Sequence, residues 1–140
     1  MPQWLVYALL ATFFAGLTSV LAKFGVKNIN SDLGLAIRTA VVFLLVSLNA
    51  LAWKASRDTS TLTTKAIIFL VVSGITTSLS WIFYYRAIKM GSVSYVAAID
   101  KGSIVLTILL SFWLLKEPMS PKLLIGAGFI LVGMIILIWK

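Results

Sequence analysis

Five long apolar stretches run along the chain, and short polar stretches separate them. The apolar stretches cover residues 4–22, 33–53, 66–85, 92–115 and 123–139. A helix needs about 20 apolar residues to cross the hydrocarbon core of a bilayer. Each stretch is near that length, so the pattern predicts an all-α integral membrane protein with five transmembrane helices. The polar stretches are short, and residues 1–140 are expected to form a single transmembrane domain.

The polar stretches contain residues that end one helix and begin the next. Lys27–Asp32 is polar and is expected to cap the second helix. Residues 56–64 are rich in Ser and Thr, and Pro118 and Pro121 bracket a turn before the fifth helix. The first apolar stretch lacks the basic start of a signal peptide, so we expect it to remain in the mature protein as a helix.

The composition fits lipid and removes most catalytic chemistry. Hydrophobic residues make up 61% of the chain and charged residues 11%, whereas soluble domains have about a quarter of their residues charged. The chain contains no Cys and no His. Disulfides, the usual zinc ligands and Ser–His or Cys–His nucleophiles are therefore excluded. The acidic residues form no paired motif, so we expect neither an enzyme nor a metal or cofactor site.

The net charge of the chain is +8. In a soluble protein, such a charge would suggest nucleic acid as a partner. Here the basic residues lie mainly at the ends of the apolar stretches, where they anchor helices at the bilayer surface. We therefore expect the lipid bilayer to be the partner, and no nucleic acid.

Basic residues are shared almost equally between the two sides of the predicted bundle. The side of the N-terminus has five, and the opposite side has another five, or seven when Arg38 and Lys101, which lie within the spans toward that side, are included. They are Lys54, Arg57, Lys65, Lys116 and Lys122 on the first side, and Lys23, Lys27, Arg86, Lys89 and Lys140 on the second. Such a balance gives the positive-inside rule little to act on. Two alternatives follow, namely insertion in both orientations with an antiparallel homodimer, or one fixed orientation.

Ionisable residues inside the predicted spans are functional candidates, since each costs about 2.5–3.5 kcal/mol at the centre of a helix. Asp100 lies about 12 Å along the fourth stretch, and Arg38 about 8 Å along the second, both from the same side. The two can therefore pair. Lys101 is expected to point away from Asp100 or to extend toward the membrane surface, because neighbours on a helix do not face each other. Asp100 is thus a coupling residue, a structural partner of Arg38, or a cap near Gly102.

The third predicted helix carries aromatic residues on one face. Trp81, Tyr84 and Tyr85 are spaced i, i+3 and i+4. They line a substrate path or form an aromatic cluster at the membrane interface. Two mechanisms are compatible with the charges. Asp100 can couple proton movement to transport, or an excess of cations can bind an anion; those cations are Lys23, Arg38, Arg86 and Lys101.

Short sequence signatures occur on four of the five predicted helices. They are Ile37–Thr39, Ser80–Ile88, the stretch from Ile99–Lys101 to Trp113–Glu117, and Gly126–Gly133. In this order and spacing they resemble the second to fifth helices of EamA-type transporters of the drug/metabolite transporter superfamily. Two positions depart from the family pattern. Lys116 stands where glycine is common, and Ala98 stands where proline is often found.

This resemblance implies a half-length transporter with one five-helix repeat, which is completed by a homodimer. The implied function is secondary active export of a small metabolite or drug-like molecule across the cell (inner or plasma) membrane by alternating access. Export is coupled to protons if Asp100 is the coupling residue. The candidate substrate and coupling residues are Asp100, Arg38, Lys101, Arg86, Trp81, Tyr84 and Tyr85. The alternatives are a flippase component for a lipid-linked head group and a non-transporting subunit of a membrane assembly.

Overall fold

The structure is a computed structural model that describes residues 2–52 and 62–139. The regular structure within these ranges is helical. The helices are α1 (Gln3–Gly25), α2 (Ser31–Ala52), α3 (Thr64–Met90), α4 (Val93–Asp100), α5 (Ser103–Leu115) and α6 (Pro121–Ile138). The α4 and α5 helices belong to one apolar stretch, Val93–Leu115, so five stretches are long and apolar enough to cross a membrane. The prediction of an all-α protein with five spanning helices is confirmed.

Some predicted features lie outside the described residues. They are the end of the second stretch at Trp53, most of the Ser- and Thr-rich connection at 56–64, and the charged residues Lys54, Arg57, Asp58 and Lys140. Backbone contacts divide the chain into two units. We call Val20–Met90 the inner unit, because it lies between the two chain segments of the other unit in the sequence, and we call Met1–Ser19 with Gly91–Lys140 the outer unit; the names refer to sequence order alone. Whether residues 1–140 act as a single domain stays a prediction.

In the inner unit, α2 packs against α3 around a small buried cluster. Its buried apolar side chains are Val26, Leu35, Tyr85 and Ile88. Gly34 makes the close packing of the α1–α2 connection possible, because a Cβ at this position would lie 2.8 Å from Cγ1 of Val26. The start of α2 is capped as the sequence predicts. The side chain of Asn30 accepts a hydrogen bond of 2.7 Å from the backbone N–H of Asp32.

In the outer unit, the fourth apolar stretch is interrupted between Asp100 and Ser103. Around the interruption, the N–H groups of Lys101 and Gly102 donate to carbonyls three residues back, over 3.2 and 2.9 Å. Bonds of this kind form a tight 3₁₀ turn, which inside a helix often marks a hinge. The break forms without a proline, because Ala98 occupies the position where the resemblance to EamA-type transporters leads one to expect proline. Gly102 supports it instead.

Gly102 lies against α6, which packs on both α4 and α5. A Cβ on Gly102 would overlap the sulfur of Met134 on α6 and lie 3.0 Å from the carbonyl oxygen of Ile99. Only a residue without a side chain therefore fits the turn without displacing Met134.

Replacing Gly102 with Ala is expected to destabilise the outer unit by about 1 kcal/mol, the lower end of the range for overpacking, since a methionine can move aside. The measurement is unfolding of the purified protein in a detergent titration. Gly128→Ala is the matched control, because beyond the adjoining backbone of α6 none of the described residues lies within 4 Å of its Cβ position. Met134→Ala combined with Gly102→Ala should be more stable than the sum of the two single changes. Strict additivity would contradict the proposed clash.

The α5 helix ends in a backbone conformation that suits glycine. Lys116 has φ 56° and ψ 32°, in the left-handed region, and is the only non-glycine residue with positive φ among those described. The N–H of Glu117 then donates to the carbonyl of Ser111 over 3.3 Å. Glycine enters this region without a Cβ clash, so the conformation is locally strained at Lys116. After the turn, the side chain of Ser120 accepts a hydrogen bond of 3.2 Å from Leu123 N–H and caps α6.

Lys116→Gly is expected to stabilise the protein by about 0.5–1 kcal/mol, because glycine enters the left-handed region without the Cβ clash but loses more entropy on folding. The same detergent titration measures the change. Lys116→Ala is the control, since it removes the charge and retains the strain. Equal stabilisation by Ala and Gly would show that the charge of Lys116, and not its backbone conformation, is unfavourable.

Candidate functional site

A cation of α2 lies over aromatic rings of α3 inside the inner unit. The guanidinium carbon of Arg38 lies 4.2 Å from the centroid of the Trp81 ring and 5.9 Å from that of Tyr85. Trp81 and Tyr85 are four residues apart, so they share a helix face. Tyr85 is buried, and Arg38 and Trp81 are half-buried. The ring of Tyr84 is next to this cluster, 6.5 Å from that of Tyr85. The aromatic face predicted from the spacing thus meets Arg38.

An ion pair that the sequence analysis did not anticipate joins the start of α2 to the end of α3. Nε and Nη2 of Arg86 donate to Oδ1 and Oδ2 of Asp32 over 3.2 and 3.1 Å. Both side chains are about half exposed, at 52% and 53%, so solvent screens the pair. The sequence did contain a signal for this pair. An acidic residue at the start of α2 and a basic residue near the end of α3 lie on the same side of the membrane.

Two lysines link the end of α1 to the end of α3 by binding backbone carbonyls. One binds a carbonyl in the last turn of α3, and the other binds carbonyls of the connection after α1. Nζ of Lys23, at the end of α1, donates to the carbonyl of Ile88 over 2.5 Å. Nζ of Lys89, near the end of α3, donates to the carbonyls that follow α1, those of Val26, Lys27 and Ile29, over 2.7, 3.0 and 2.7 Å. The last carbonyls of a helix lack intrahelical donors, and a cation also interacts favourably with the helix dipole there. We call this arrangement the lysine clasp. It gives Lys23 a structural partner, which weakens its candidacy for an anion site.

Asp100 lies at the break in the fourth apolar stretch, beside Lys101. Oδ2 of Asp100 is 3.5 Å from Nζ of Lys101. The expectation that Lys101 points away is therefore wrong. That expectation assumed a continuous helix through both residues, whereas α4 ends at Asp100 and Lys101 lies in the turn that follows. The capping alternative is also wrong, since Gly102 precedes α5 and no side chain caps that helix. The predicted pair of Arg38 and Asp100 would join the two units and stays a prediction.

A small open cavity lies at the far end of α5 in the outer unit. Its volume is about 200 Å³, and its lining includes Thr107, Ser111, Phe112, Glu117 and Met119. No pattern in the sequence predicted a cavity at this position. Within residues 2–52 and 62–139, no acidic side chains come together in the groups of three that a metal ion would need.

Five apolar spans with ionisable residues inside them define a multi-pass membrane protein. The comparisons with known proteins make this more specific. The chain matches the EamA-like transporter family over residues 2–139 and belongs to that family. The resemblance inferred from the sequence is confirmed, and five helices fit the half-length type with a single repeat.

One relative comes from Sinorhizobium sp. and is named "Uncharacterized transporter in cobO 3'region". It is 37% identical over 135 residues, which cover 96% of each chain. No solved structure matches the chain. The family and this relative together support a membrane transporter, and they point away from an enzyme.

Proposed function

We propose that the protein is a secondary active exporter of a small metabolite or drug-like molecule, which works as a homodimer by alternating access and couples export to protons at Asp100. The observation that carries this proposal is the broken fourth span with a carboxylate at the break. Discontinuous helices are a common way in which transporters build substrate and ion sites inside the membrane.

The position of Asp100 suits a proton-coupling residue. It is seven residues from Val93, the first residue of α4, which places it about 10 Å along the span. Its partner Lys101 is adjacent in the chain and more exposed. Protonation of Asp100 would end its attraction for Lys101, at a turn of the kind that serves as a hinge. Proton binding and movement of α5 relative to α4 can thus be linked.

Three features support a homodimer with opposite orientations. The family unit has five helices, so it places its two ends on opposite sides of the membrane. The flanking basic residues are balanced between the sides. Gly74 and Ser78 on α3 form a small-xxx-small motif. Apart from the adjoining backbone of α3, no atom of the described residues lies within 4 Å of the Cβ position of Gly74. Such a motif lets a second helix approach closely.

Transport is tested in liposomes that contain the purified protein and a pH-sensitive dye. Panels of amino acids, organic acids and aromatic cations are added outside under a pH gradient, and the proton movement that each compound evokes is recorded. We expect at least one class to evoke proton movement that protein-free liposomes lack. Movement of a labelled lipid-linked head group alone would instead support a flippase. Inactivity in both assays, with constant co-purification of one protein, would support an assembly subunit.

Orientation is tested by cysteine labelling, which the absence of native Cys makes clean. Asn28→Cys reports on the α1–α2 connection, and Pro118→Cys reports on the α5–α6 connection. An impermeant thiol reagent added to intact cells should label about half of each variant if both orientations are present. Labelling of only one of the two positions would contradict the antiparallel dimer.

A further inference from the structure

Among the described residues, one of the four cations expected to form an anion site has no oxygen partner. Lys23 and Lys89 bind backbone carbonyls, and Arg86 binds Asp32. In the outer unit, Lys101 lies beside Asp100. Across residues 2–52 and 62–139, Arg38 has aromatic contacts but no hydrogen bond or ion pair to an oxygen atom. The excess of four cations expected from the sequence is thereby reduced to Arg38.

We propose that Arg38, held by Trp81 and Tyr85, binds an anionic group of the transported molecule, a carboxylate or a phosphate. This inference rests on the proposed transport function and narrows its substrate class to molecules that carry such a group.

The geometry leaves the hydrogen-bonding edge of Arg38 available. An arginine that stacks on a ring contacts it through the face of the guanidinium, while its five N–H donors lie in the plane. In that plane the guanidinium matches the two oxygens of a carboxylate or a phosphate. The guanidinium carbon of Arg38 lies over the Trp81 ring, 4.2 Å from its centroid. The ring covers the cation from one side, and none of the described residues forms a hydrogen bond with its N–H groups.

The aromatic residues also orient the cation before an anion arrives. Tyr85 is only 3% exposed, so its ring is fixed by the packing of the inner unit. A side chain that is already ordered loses less entropy when it binds a ligand. Because Trp81 and Tyr85 both contact Arg38, a change in either ring should alter affinity for the anion without removing any charge.

The depth of Arg38 in the span makes binding of an anion energetically favourable. It is seven residues from Ser31, the first residue of α2, or about 10 Å into the span. A charge at such depth is costly unless it is paired or reaches water. An anion from the transported molecule would neutralise this charge during passage.

The test is calorimetric titration of the purified full-length protein in a maltoside detergent, which contains no phosphate. The probes are benzoate, inorganic phosphate and benzamide, the neutral counterpart of benzoate. We expect saturable binding of at least one anion and none of benzamide. Arg38→Gln should weaken the binding by at least about tenfold, the effect of losing a charged hydrogen bond. Lys65→Gln removes the same charge at the other end of α3 and should leave the affinity unchanged.

Three further variants test the proposal if Arg38→Gln does not fold. Arg38→Lys retains the charge but not the planar fork, and it should bind less tightly than the native protein. Trp81→Leu should weaken binding more than Trp81→Phe, because only Phe retains a ring for the cation. Anion binding that is unchanged in Arg38→Lys and in Trp81→Leu would overturn the proposal.

Two competing sources of the anion have their own outcomes. If Asp100 occupies Arg38, Asp100→Asn should raise the affinity for the probes at least about tenfold, and that result would overturn the proposal. If a lipid phosphate occupies Arg38, phosphatidylglycerol should compete with the probes, and loss of binding in phosphatidylglycerol nanodiscs would also overturn it. Unchanged affinity in both experiments supports an anion from the transported molecule.

The binding test is independent of the flux test. Intact anion binding without flux of any compound would contradict the proposed transport function and leave the anion site standing. Flux of neutral or cationic compounds alone, without anion binding, would contradict the anion site and leave the transport function standing.

Discussion

Asp100→Asn is expected to abolish proton-driven flux while the protein remains folded. The amide has nearly the shape of the carboxylate but can neither bind nor release a proton, so a coupling step at this position is lost. It also removes the attraction for Lys101, whose Nζ lies 3.5 Å from Oδ2. The measurement is dye-reported proton movement in liposomes after addition of a transported compound, with the unfolding transition in detergent as a check on the fold.

Asp32→Asn is the matched control for this variant. It removes a carboxylate of the same type, at the start of α2, where Asp32 pairs with Arg86. We expect it to retain coupled flux, because this pair lies at the end of the span and is half exposed. Asp100→Glu should retain part of the flux, since it keeps a titratable group. Coupled flux that persists in Asp100→Asn would exclude Asp100 as the coupling residue, whatever the controls show.

The helices could be predicted from the sequence because their signal is long and local. An apolar stretch of about 20 residues has few stable structures other than a spanning helix in lipid. The cap at Asn30 was predictable for the same reason, since a polar turn before an apolar stretch is a local signal. The break at Gly102 was only partly predictable. The glycine permits irregularity, but what requires the glycine is the sulfur of Met134, far away in the chain.

The site residues were predicted unevenly, and the reason lies in what their partners are. The common face of Trp81 and Tyr85 follows from helical spacing, and Arg38 meets both rings. The partners of Lys23 and Lys89 are backbone carbonyls. Every residue has such a carbonyl, so the sequence contains no signal for these bonds. The cations therefore resembled an excess of positive charge before the structure assigned oxygen partners to most of them.

The lysine clasp makes the second large effect predictable. Lys89→Met retains most of the apolar stem and removes the ammonium, so the carbonyls of Val26, Lys27 and Ile29 lose their common donor. Hydrogen bonds to a charged group contribute about 1.5–3 kcal/mol each. Water at the membrane surface can replace part of them, because two of the three bonds are exposed. We expect a loss of about 2–3 kcal/mol in the free energy of unfolding, measured by detergent titration.

Lys27→Met tests whether that loss reflects the bonds or the charge alone. Lys27 belongs to the same connection, its side chain is exposed, and only its backbone carbonyl takes part in the clasp. Removing its charge should change stability by no more than about 0.5 kcal/mol, as is usual for surface substitutions. Equal losses in the two variants would mean that positive charge at this end of the bundle, and not the clasp, stabilises the inner unit. A large loss confined to Lys89→Met would instead show that a flanking lysine which the sequence assigns to membrane anchoring joins the end of α3 to the connection after α1.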